Sequence, residues 1–114
     1  MSGAAFVLAA LLISASPENA DAMPAVGRAM DAWKVCVASN TREYSLSTTE
    51  PAQTVVEAGI GECVNEHQRV RLALFGLGSS PAEADETLRY MVDNTRPLLI
   101  AGVLRLRAAQ KQRP

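Results

Sequence analysis

Apolar residues recur at spacings of three and four along most of this chain, and no segment alternates with period two over more than a few residues. That spacing lines one face of an α-helix and would scatter apolar side chains over both faces of a strand, so the chain is predicted to be all-α. Its 114 residues, 48% of them apolar and 20% charged, match a single small globular domain. A net charge of −1 and an aromatic content of 4% offer neither a general attraction for nucleic acid nor a surface for stacking bases. No nucleic-acid partner is expected.

Residues 1–22 read as an export signal rather than as part of the fold. Ala4 to Ile13 is an unbroken apolar run, about half of the ~20 residues a bilayer span requires, and Ser14-Ala15-Ser16-Pro17 interrupts it. Ala20-Asp21-Ala22 then has the small-x-small pattern of a signal-peptidase site, which makes Met23 the first mature residue. The segment before the apolar run, Met1-Ser2-Gly3, carries no Lys or Arg, only the terminal amine. Cleavage removes Glu18 and Asp21, and the mature net charge becomes about +1. The periplasm or the cell exterior is the expected compartment.

Residues 23–110 are expected to form one helical domain, with residues 111–114 a frayed basic tail. The first helix is predicted from about Pro24 to about Tyr44, with Val26, Met30, Trp33, Cys36, Val37, Asn40 and Tyr44 on one stripe. Ser45 to Thr49 forms a turn, and Ser47 or Thr49 caps a second helix that continues to about Phe75. The stripe of that helix is Val56, Ile60, Cys63, His67, Val70 and Leu74. Gly59 and Gly61 each cost a helix up to ~1 kcal/mol against Ala, which points either to close approach of a neighbouring backbone near Cys63 or to a locally soft helix. Gly76-Leu77-Gly78-Ser79 ends the element, and Ser80-Pro81-Ala82-Glu83 combines cap, first-turn proline and a glutamate able to close a capping box. The third helix turns Ala84, Leu88, Met91, Val92, Thr95, Leu99, Val103 and Leu106 inward, and Pro97 either kinks it or divides it into two collinear pieces. The architecture expected is a three-helix bundle, an antiparallel hairpin with a third, Pro-kinked helix.

Cys36 and Cys63 both lie on inward stripes, and two cysteines in an exported chain usually pair. A bridge between them staples the hairpin. A competing arrangement uses the i, i+4 pair Cys63 and His67 with Cys36 opposite as ligands for zinc or copper, but a fourth ligand is missing, Met30 offering only a conceivable thioether. Redox catalysis would call for Cys-x-x-Cys, and haem attachment for Cys-x-x-Cys-His; both are absent from the sequence. With one histidine and no nucleophile elbow, phosphate-binding loop or dinucleotide fingerprint, no catalytic constellation or cofactor is expected. Glu57, Glu62 and Glu66 lie near one another on the second helix and read as a solvated face.

Trp33-x-x-Cys36, a following Pro-initiated helix and Cys63 resemble small exported helical proteins of Gram-negative bacteria whose function is unknown, over residues 29–67. The resemblance implies a periplasmic, disulfide-stapled helical hairpin and brings no activity with it. Toward the C-terminus Leu98 to Leu104 is apolar at every position, whereas one inward face needs only Leu98, Leu99, Gly102 and Val103. Pro97, Ile100, Ala101 and Leu104, continued by Arg107 and Lys111, form a second stripe expected to bind a protein partner or a second copy of the chain. Arg96, Arg105, Arg107, Lys111 and Arg113 also make a basic tail that could seek anionic lipid. The function expected is a non-enzymatic interaction or structural module.

Overall fold

A computed structural model of the chain describes residues 17–113. Residues 1–16 of the expected signal segment and the terminal Pro114 fall outside the described residues. Those described are all-helical, with no strand among them: α1 (Pro17–Ser47), α2 (Ala52–Gly61), α3 (Val64–Gly76) and α4 (Pro81–Lys111). Four helices replace the expected three, because the predicted second helix is broken at Glu62–Cys63.

The break falls where two glycines and the bridged Cys63 come together. Gly59 and Gly61 weaken the helix, and Cys63 leaves helical geometry at φ −107°, ψ 33° to become the N-cap of α3. Its amide bonds to the Ile60 carbonyl at 3.1 Å, one residue short of the α-helical reach. Gly59 also provides the predicted close approach. A Cβ built there would lie 2.1 Å from Thr41 Oγ1 and 3.0 Å from the Thr41 backbone nitrogen. Around Gly61 nothing lies within 4 Å of such an atom. Gly59→Ala is therefore expected to destabilise the protein by about 1–3 kcal/mol despite alanine's higher helix propensity, whereas Gly61→Ala leaves it unchanged or more stable by up to ~1 kcal/mol. Urea midpoints of the two variants read this directly, and a stabilised Gly59→Ala would refute the close approach.

Helix boundaries show two further differences. α1 starts at Pro17, so Pro24 sits inside the helix rather than in its first turn, and the expected cleavage site Ala20-Asp21-Ala22 lies within α1. Neither Ser47 nor Thr49 caps α2; Pro51 holds that position and Thr48 Oγ1 instead accepts from the Glu50 amide at 3.2 Å. The α3–α4 turn is as expected. Gly78 takes φ 102°, and the Ser79 and Gly78 amides return to the Leu74 and Phe75 carbonyls at 3.0 Å in a Schellman arrangement. Ser80 Oγ accepts from the Glu83 amide while Glu83 accepts from the Ser80 amide, closing the capping box, and the latter bond holds the Glu83 carboxyl below its ordinary pKa. α4 runs through Pro97 as one helix, and Thr95 Oγ1 donates to the Met91 carbonyl at 2.8 Å just before it.

α1 contacts α2, α3 and α4, and both α2 and α3 contact α4. The larger core joins Trp33 and Val37 of α1, Cys63, Val70 and Leu74 of the α2–α3 run, and Leu88 of α4. A smaller cluster of Val55, Val56 and Val103 closes the other end. On α1 the buried line continues through Thr41 and Ser45, polar residues absent from the predicted stripe; Gly59 of α2 closes against Thr41. Leu98, expected to face inward, is 70% exposed.

Candidate functional site

The middle of α1 and the α2–α3 junction meet at the Cys36–Cys63 disulfide, whose Cα atoms lie 6.0 Å apart. Cys63 is fully buried and Cys36 half-buried. Asn40, one turn after Cys36, donates from Nδ2 to the Cys36 carbonyl at 2.9 Å and sits 3.5 Å from both sulfurs. Glu66 Oε2 approaches Cys36 Sγ to 3.5 Å from the other side. An amide and a carboxylate thus cover the half-exposed sulfur.

Glu66, not His67, is the third potential ligand at this point: one donor atom each from Cys36, Cys63 and Glu66 lies within 4.8 Å of the others. The expected set with His67 is not assembled. The Cys63 carbonyl accepts from the His67 amide at 3.0 Å, but Cys63 itself is an N-cap at non-helical φ and ψ, and it is the Glu66 carboxylate that lies at the sulfurs. Both sulfurs are engaged in the bridge, so neither is available as a thiolate ligand. Glu57, Glu62 and Glu66 do not act together. Glu57 accepts from Arg96 Nε at 2.6 Å, Glu62 accepts from the Tyr44 hydroxyl at 2.8 Å and Glu66 lies against the sulfur. The bond to Glu62 also raises the Tyr44 pKa above its ordinary value.

The predicted interaction stripe is divided by the fold. Ile100 is half-buried against the Val55, Val56 and Val103 cluster, and Arg107 donates from Nη2 to the Thr48 carbonyl at 3.1 Å, tying α4 to the α1–α2 loop. Leu104 is 56% exposed and Lys111 is exposed. Arg96 is also committed, bound to Glu57 and, at 2.9 Å, to Asp93, and these bonds raise its pKa. Arg105, Lys111 and Arg113 are the exposed cations of the tail. Tyr90, 72% exposed, was not legible as a surface residue of interest because it stands alone among polar neighbours on its helix face, outside the apolar run after Pro97. Beside Leu98, the C-terminal halves of α1 and α4 leave a groove of about 370 Å³ lined by Ala38, Arg42, Gly102 and Leu106, with Thr41 and Ser45 contributing.

These features define a disulfide-linked, all-helical protein. Among the described residues no helix is long and apolar enough to cross a membrane. Comparison with protein-family models, with curated proteins and with solved structures finds no match.

Proposed function

We propose that the protein is an exported, non-enzymatic helical module that works by presenting the exposed surface of α4 to another protein. The observation that carries this reading is the exposure of large apolar side chains along α4, with Tyr90, Leu98, Leu104 and the adjacent Leu46 each at least half exposed. The closed Cys36–Cys63 bridge supports export, since such bridges persist in oxidising compartments, and so do the apolar run and Ala20-Asp21-Ala22. The resemblance carried by Trp33, Cys36 and Cys63 points to the same periplasmic setting.

The test expresses the full chain in a Gram-negative cell with a photo-crosslinking amino acid at Leu104 or, as a control, at the exposed Gln53 of α2. The expected result is a chain beginning at Met23 by intact mass, without titratable thiol, forming discrete protein adducts from Leu104 and none from Gln53. A full-length cytosolic chain with two free thiols, or adducts equal from the two positions, would overturn the proposal. Two free thiols with stoichiometric zinc, weakened by His67→Ala, would instead establish the metal-binding alternative at Cys36, Cys63 and His67.

A further inference from the structure

Along α4, Glu83, Thr87, Tyr90, Asn94, Pro97, Ala101, Leu104, Ala108 and Lys111 follow one another at spacings of four and three. That is the heptad spacing of a helix–helix seam, yet most of this face is open to solvent. Thr87 and Ala101 are half-buried and every other member is exposed. The inward stripe of Leu88, Met91 and Val103 is a different face of the same helix.

The seam is complementary to itself when reversed. Residues 81–93 carry four carboxylates and one Arg, whereas residues 94–111 carry four cations and no acid. Pairing two α4 helices antiparallel about Pro97 places Tyr90 opposite Leu104, Asn94 opposite Ala101 and Glu83 opposite Lys111, each twice by symmetry. Parallel pairing would instead stack like charge on like charge. Leu98, on the flank of the seam, meets its own symmetry mate. Beside Leu104 lies an open recess between α4 and the α1–α2 loop, bordered by Leu46 and Thr48, on the side where the opposing tyrosine would pack. Of the charged members of the seam, neither Glu83 nor Lys111 makes an ion pair among the described residues.

We infer that the outer face of α4 is the contact surface of an antiparallel homodimer, with Tyr90 of each copy packed on Leu104 of the other. This rests on the reading of α4 as an interaction surface and names its occupant as a second copy of the chain. A single helix seam is a small interface, on the order of 1,000 Å² in total, so the dimer is reversible and concentration-dependent. Opposed charge at the seam ends makes it weaken with added salt.

Sedimentation equilibrium of the purified oxidised protein over a range from about 10 μM to 1 mM tests the inference, with circular dichroism confirming that each variant is folded. Tyr90→Lys places an ammonium opposite Leu104, and Leu104→Glu a carboxylate opposite Tyr90. Each is expected to weaken self-association at least about tenfold. An equimolar mixture of the two, and the double variant, should recover dimer because the new charges then face each other across the two-fold. A wild-type protein that stays monomeric throughout, single variants that associate as wild type does, or a mixture without recovery would each refute the antiparallel dimer. Leu104 adducts containing a different protein in the cell would leave the broader interaction role standing while the homodimer falls.

Discussion

Reducing the Cys36–Cys63 bridge, or replacing both cysteines with alanine, is expected to lower the stability of the fold by about 3–4 kcal/mol. The bridge spans 27 positions of sequence, and the chain-entropy cost of leaving a loop of that length unconstrained in the unfolded state is of this size. For a domain of this size the melting temperature should fall by more than about 12 °C. The native side compounds the effect, because Cys63 is fully buried at the helix break and packs in the same core as Trp33 and Val70. Urea denaturation of oxidised and reduced protein, followed by helical ellipticity, measures the difference. Coincident unfolding curves would show that the covalent link contributes nothing, and titration of unreduced, denatured protein should find no free thiol. Glu66→Gln and Asn40→Ala should alter how fast a small thiol reduces the bridge more than they alter stability, since both side chains cover its half-exposed sulfur.

Trp33→Ala is expected to cost about 3–5 kcal/mol, comparable with most of the net stability of a small domain. Trp33 is completely buried and is the largest side chain in the principal core, where α1 meets α3 and α4. Its indole Nε1 is buried and finds no acceptor among the protein's own groups. Trp33→Phe consequently removes volume and an unpaired donor together, and should cost no more than about half as much as the alanine change. Equal losses from the two substitutions, read by thermal or urea unfolding, would mean that the ring's volume is not what the core requires at this site.

The all-helical class, the C-terminal stop at Gly78, the capping box of Ser80 and Glu83 and the inward stripe of α4 were legible because each depends on local spacing or on a few neighbouring residues. The Cys36–Cys63 pairing was legible as well, since only two cysteines are present and both fall on apolar stripes. What the sequence by itself determined is therefore periodicity, punctuation and the one covalent link. Tertiary structure decided the rest. The break at Cys63 depends on Gly59 closing against Thr41 of another helix and on Cys63 meeting Cys36, contacts invisible in a one-dimensional pattern. Glu66 rather than His67 lies beside the sulfurs, at a junction where Cys63 leaves helical geometry. Apolar spacing likewise showed that the last helix has more than one apolar face, but packing alone assigned those faces. Ile100 met Val55 and Val56 and was covered, while Leu98, Leu104 and Tyr90 were left more than half exposed. A helical wheel gives directions around one axis, and which directions are filled depends on where the other axes lie.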